Sequence, residues 1–293
     1  MRSSTTTFIR SFDGASLRVT RLPREGRPRV ILSHGNGFAI DGYAAFWSLL
    51  ADDFELVLLD LRNHGQSGAT HIDTHTILAM ADDHVAVAAA CCESFGARQT
   101  VGVFHSVSAI AATLAGSRQS VWDAAILVDP PLVSLDPASG LVRSADNRLA
   151  QYTREKPAHY ASVEAYATVI ETGFGRHWAP GCAQDMAQAV TRTAPDGGAE
   201  LICPTEYEAR IYEQNGGTDS FAAVGAMRDR VAILGADADA PRALHPALVS
   251  RAAAQAYGLA YESVAGASHM LQIEKPQAAV HALRGLLRTL GSV

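Results

Sequence analysis

The sequence predicts an α/β domain: a mostly parallel central sheet with helices on both faces, interrupted by an inserted helical segment. Three observations carry this. Short apolar runs of the buried-strand kind recur at 29–33, 54–60, 99–104, 123–129 and 230–235, and most are separated by helix-length stretches. Such alternation marks parallel strands covered on both faces. From about 132 to 226 the alternation stops and the text turns helical and aromatic, with Tyr152, Tyr160, Tyr166, Phe174, Trp178, Tyr207 and Tyr212. At 293 residues the chain is long enough for one large core carrying an inserted subdomain. The expected division is therefore a core at 1–131 and 227–293, with a helical cap at 132–226.

Taken in order, apolar and polar residues alternate at 6–11 and 16–21 around Asp13-Gly14, a hairpin-turn dipeptide, so the chain opens with two antiparallel strands. The strand at 29–33 runs into His34-Gly35-Asn36-Gly37-Phe38, where two glycines in three residues permit a sharp turn with exposed N–H groups. A helix is expected at about 41–51. The next strand ends in the polar loop Asp60-Leu61-Arg62-Asn63-His64-Gly65-Gln66-Ser67-Gly68, whose charged residues are read as ties within the loop. Residues 75–95 form a long helix, with Asp82 and Asp83 expected on its solvated side. Helices near 245–257 and from Pro276 to about Leu290 flank a strand at 261–264 and the loop Gly266-Ala267-Ser268-His269-Met270.

Composition excludes several functions. The formal net charge of −6 offers no basic field for phosphate backbones or anionic lipid. No stretch reaches the roughly 18 apolar residues of a membrane span, and the first residues lack the apolar run of a signal peptide; a cytoplasmic location is expected. Cys91, Cys92, Cys182 and Cys203 show no C-x-x-C spacing, and the eleven histidines are scattered singly, so neither disulfides nor a metal site is expected. The expected partner is a small-molecule substrate, with no cofactor.

The chemistry centres on Val103-Phe104-His105-Ser106-Val107-Ser108, where a strand turns abruptly into a small-residue helix. A serine at such a turn has its hydroxyl thrust out of the sheet edge, beside free backbone N–H groups. The form G-x-S-x-G keeps small residues two before and two after the serine. Ser108 complies, whereas Phe104 stands where Gly or Ala is expected. The alternative role for Ser106 is an N-cap of the following helix.

In combination these motifs resemble the α/β-hydrolase family over nearly the whole chain except the cap. His34-Gly35-Asn36-Gly37 is similar to its oxyanion loop, Asp60 to Ser67 to its D-x-R-G-x-G-x-S loop, His105-Ser106-Val107-Ser108 to G-H-S-x-G, and Gly266 to His269 to the G-x-x-H loop. The resemblance implies Ser106 as nucleophile and His269 as base; His105 adjoins Ser106, but neighbours across a strand-to-helix elbow point apart, so it is read as a packing residue. It implies an acid after the strand ending at Gly235, where Asp239 fits the usual spacing; Asp237 and Asp129 are the alternatives. The backbone N–H groups of Asn36 and Val107 would form the oxyanion hole. The implied activity is hydrolysis of esters or thioesters of small, mainly apolar carboxylic acids through an acyl-enzyme. C–C bond hydrolysis, cofactor-free haloperoxidase chemistry and a non-catalytic ligand-binding role remain open alternatives.

Overall fold

A computed structural model describes residues 4–136, 139 and 148–291. Part of the expected cap, 137–138 and 140–147, lies outside the described residues. The strands are β1 (Thr5–Arg10), β2 (Ser16–Leu22), β3 (Arg29–Ser33), β4 (Glu55–Leu59), β5 (Thr100–His105), β6 (Ala124–Val128), β7 (His159–Tyr160), β8 (Thr191–Thr193), β9 (Ala199–Leu201), β10 (Val231–Gly235) and β11 (Ala260–Ser263). The helices are α1 (Ala44–Trp47), α2 (Ile77–Phe95), α3 (Val107–Arg118), α4 (Arg148–Glu155), α5 (Val163–Thr172), α6 (Cys182–Val190), α7 (Thr205–Gln214), α8 (Ser220–Gly225), α9 (His245–Tyr257), α10 (Leu271–Glu274) and α11 (Pro276–Thr289).

Eight strands form one sheet in the order β1-β2-β4-β3-β5-β6-β10-β11. The opening hairpin is antiparallel, as is the β2–β4 pair; every other neighbour is parallel. β3, β4, β5, β6 and β10 are buried along nearly their whole length, which is why they read as unbroken apolar runs. Two apolar cores follow, one on each face. Val30, Leu32, Phe46, Leu56, Val103, Ile126 and Leu283 belong to one, and Ile31, Val57, Phe104, Ile110, Leu127, Met80 and Val249 to the other.

The segment between β6 and β10 is not all helical. β7, β8 and β9 form a small antiparallel sheet in the order β7-β9-β8. Asp196-Gly197 turns β8 into β9, with Gly197 at φ 87° and the Asp196 carboxylate accepting the Gly198 N–H at 3.0 Å. This is the same turn chemistry as Asp13-Gly14, and it was the available signal for the hairpin. The expected helix at 41–51 is likewise broken, into α1 and flanking 3₁₀ turns at Ile40–Tyr43 and Ser48–Leu50.

Asp82 and Asp83 do not share a solvated face. Asp82 is half exposed opposite Arg118, whereas Asp83 is buried and accepts two bonds from Arg62, at 2.6 and 2.7 Å. Asp13 holds the other side of the guanidinium at 2.7 Å. Arg62, on the polar loop after β4, thereby clips that loop to α2 and to the opening hairpin. Burial opposes its charge, but Asp83 and Asp13 raise its pKa further.

Candidate active site

The parallel strands β3, β5 and β6 are adjacent and in register, with Ser33 beside Phe104 and His105 beside Val128. Their carboxyl ends therefore deliver His34, Ser106 and Asp129 to one crevice, where open α/β sheets bind ligands. Ser106 has φ 57° and ψ −122°, a conformation that a non-glycine residue adopts only at a cost, and its side chain makes no capping bond to α3. The N-cap reading thus fails, and the hydroxyl points elsewhere. It meets Nε2 of His269 at 3.0 Å.

His269 Nδ1 lies 2.7 Å from Oδ2 of Asp129. Asp129 is buried, and its Oδ1 accepts the Ala236 N–H at 2.9 Å, so one oxygen is anchored and the other is aimed at the imidazole. The expectation that Asp239 partners His269 is not met. Asp239 is exposed and bonded to Arg251 at 2.5 Å. Asp237 is spent on the turn itself, accepting the Gly266 N–H at 2.7 Å and the Asp239 N–H at 2.9 Å, contacts that lower its pKa. Asp129 was legible only as an alternative. Its signal was an acid closing a buried strand immediately before Pro130-Pro131.

The loop His34–Gly37, expected to supply an oxyanion donor, is pinned at three consecutive residues. Gly35 N–H donates to Tyr43 Oη at 3.2 Å, Asn36 Nδ2 donates to the Glu208 carbonyl at 2.8 Å, and Gly37 N–H donates to His64 Nε2 at 3.0 Å. Gly37, at φ 76°, lies under the Glu208 carboxylate, so a Cβ there would come within 2.5 Å of it. Burial raises the Glu208 pKa against the opposing pull of its partner Lys156. Val107 opens α3, so its N–H has no acceptor within the helix.

The loop after β4 acts as the sequence suggested. Asp60 accepts the N–H groups of Ile40 and Gln66, each at 3.0 Å, and faces Arg18 at 3.2 Å. His34 and His64 are fully buried. His34 Nε2 accepts the Leu61 N–H at 3.0 Å, and burial pushes the two pKa values down to about 4 and about 3.

Phe104 fits the elbow because Gly102, two residues earlier on the same face of β5, gives it room; a Cβ at Gly102 would fall 2.1 Å from the ring. The ring packs on His84 and Trp122, with centroids 4.5 and 4.9 Å away. Ser108 bonds His84 Nε2 at 3.2 Å. A glycine and α2 thus replace the missing glycine of the motif.

His105 is more than packing. Its Nδ1 meets Tyr43 Oη at 2.8 Å and its Nε2 meets the His269 carbonyl at 2.9 Å. Among the described residues no group of three or more His, Cys, Asp or Glu side chains could hold a metal ion, and no helix is long and apolar enough to cross a membrane. All four cysteines are free.

With this sheet, elbow and hydrogen-bonded Ser-His-Asp chain in place, the comparison with known families is direct. The alpha/beta hydrolase family model matches residues 30–283, and the chain belongs to that family. Among curated proteins no sequence matches. Among solved structures, E-2-(acetamidomethylene)succinate hydrolase is similar at a TM-score of 0.80 and 15% identity, covering 98% of this chain and 100% of that one. An alpha/beta hydrolase from Novosphingobium aromaticivorans reaches 0.74 at 16% identity, with 100% of both chains covered. A thioesterase domain from the curacin biosynthetic pathway reaches 0.71 at 17% identity, covering 96% of this chain and 99% of that one. At such identities the likeness is one of fold.

Proposed function

We propose that the protein is a serine hydrolase that cleaves esters or thioesters of small, mainly apolar carboxylic acids through an acyl-enzyme. The observation that carries this reading is the continuous chain from Ser106 Oγ through both ring nitrogens of His269 to the buried Asp129. Asp129 accepts the Nδ1 proton of His269, which leaves Nε2 as the base toward Ser106. As Ser106 Oγ bonds to the acyl carbon, its proton passes to Nε2, and the carbonyl oxygen becomes an oxyanion facing the N–H groups of Val107 and Asn36. Collapse breaks the bond to the alkoxide or thiolate, which leaves with the proton from Nε2. Water, deprotonated by the same nitrogen, then releases the acid and restores Ser106.

The preference for apolar acyl groups is an inference from the apolar character of the residues that follow the Gly35–Gly37 turn. Phe38 sits 6.2 Å from Phe174 and 6.1 Å from Trp178, centroid to centroid. Membership of the alpha/beta hydrolase family supports hydrolytic chemistry, and the structures similar in fold include a thioesterase domain and esterases.

The test is a panel of p-nitrophenyl esters of graded chain length, run beside acyl-CoA thioesters, with purified wild type and Ser106→Ala. Turnover by the wild type and its loss in Ser106→Ala is the expected result. Retained turnover in the variant would refute the serine mechanism.

A further inference from the structure

We propose that His105 and Tyr43 are positioning residues that lock the oxyanion loop to the loop carrying His269, so that the two halves of the site are set together. The proposal rests on the serine-hydrolase reading above. It comes from a hydrogen-bond chain whose donors and acceptors admit one assignment. The His269 carbonyl can only accept, so His105 Nε2 carries the proton of that 2.9 Å bond. Burial holds the His105 pKa well below 6.5, and the ring is therefore neutral, with Nδ1 as an acceptor. Tyr43 must then donate its hydroxyl proton to Nδ1, at 2.8 Å, while its oxygen accepts the Gly35 N–H at 3.2 Å.

The chain runs from the oxyanion loop, through Tyr43 and His105, to the backbone of the residue that bears the base. Its central ring is covalently next to Ser106, and it also lies against the His269 ring, 4.8 Å between centroids. Tyr43 and His105 are fully buried, so the bonds Tyr43 makes to His105 and Gly35 do not compete with water. Gly35 closes the arrangement. A Cβ there would sit 3.1 Å from His105 Nδ1 and 3.3 Å from Ser106 Cβ, so the loop rests directly on the ring and the nucleophile. The His105 imidazole thereby ties the loop that bears the Asn36 N–H directly to the loop that bears the His269 ring. Displacements near 1 Å at such groups cost on the order of a hundredfold in rate.

The experiment measures inactivation by an alkyl fluorophosphonate, which needs both the base and the oxyanion hole and requires no knowledge of the natural substrate. Tyr43→Phe removes one oxygen and should lower kinact about ten- to a hundredfold while KI stays within about twofold. His105→Leu should do the same, and Tyr43→Phe/His105→Leu should be no slower than His105→Leu alone, because both cut one chain. His105→Gln, which keeps a donor and an acceptor on one planar group, should recover much of the loss. Wild-type kinact in Tyr43→Phe and His105→Leu, or losses that multiply in the double variant, would overturn the coupling. If His105→Leu does not fold, Tyr43→Phe decides alone. Ser106→Ala is the separate control: labelling that persists there defeats the hydrolase reading itself rather than the coupling.

Discussion

Asp129 holds φ at 44°, one of three non-glycine residues with positive φ among those described, together with Asn63 and Ser106. Asp tolerates this region better than most residues, and the strain turns its carboxylate from the strand end toward His269. Under the proposed chemistry, Asp129→Asn should lose on the order of 10⁴ in kcat, because an amide cannot hold the required tautomer or stabilise the imidazolium. Asp239→Asn should lose almost nothing, since its carboxylate is exposed on Arg251. Equal losses in the two variants, assayed on the same ester, would contradict the geometry. Ser106 and His269 were readable as candidates because each sits in a local motif. The carboxylate that meets His269 was not, because two neighbouring strands, β6 and β10, end beside the same imidazole, and spacing after Gly235 says nothing about which carboxylate the fold buries.

At the scale of elements, the crowded elbow makes a specific demand on β5. Phe104 is wedged between His84 and Trp122, so it cannot swing away from a methyl at position 102. Gly102→Ala should cost about 1–3 kcal/mol by overpacking. In a Phe104→Ala background, itself about 3–5 kcal/mol less stable, the same substitution should cost little. Urea denaturation of the four proteins tests this, and an additive double variant would refute it. The charge clip on α2 makes a second demand. Asp83→Ala should destabilise by about 1.5–3 kcal/mol, because it removes two charged hydrogen bonds from a guanidinium that then keeps only Asp13 and the Thr74 carbonyl. Asp82→Ala, which removes a half-exposed pair with Arg118, should cost at most about 1 kcal/mol. The helix itself was legible from its length, but not which aspartate faces inward: α2 is apolar nearly all round, and only the approach of Arg62 from a distant loop distinguishes the two. Likewise the small sheet β7-β9-β8 escaped notice because strands of two and three residues carry no periodicity.

Across the whole molecule the buried histidines set a common response to acid. Burial pushes His34 down to about 4, His64 and His84 to about 3 and His75 to about 2. The unfolded chain protonates each near 6.5, whereas the native chain does not. Stability is therefore complete above that value and lost as pH falls from about 6.5 toward 4, by about 1.4 kcal/mol per pH unit for each group. Burial raises Asp60, Asp83 and Glu208, which oppose part of this slope, but Arg18, Arg62 and Lys156 restrain them. The urea midpoint should fall steeply between pH 6.5 and 5. A midpoint unchanged over that interval would contradict neutral burial of the four rings.

The order of the strands in the sheet has a consequence for synthesis. Six strands, β1 to β6, are made within the first 128 residues and pair among themselves, leaving the far side of β6 open until β10 is translated after residue 230. During that interval the ribosome displays an apolar strand with unpaired N–H and C=O groups, the kind of edge that recruits other chains. The inserted segment emerges in this same interval, when it alone is available to shield the edge. Ribosome-bound chains arrested near residue 225 should therefore bind hydrophobic dyes and cross-link to one another more than chains arrested near 290, a difference that vanishes if the insertion covers β6 in transit.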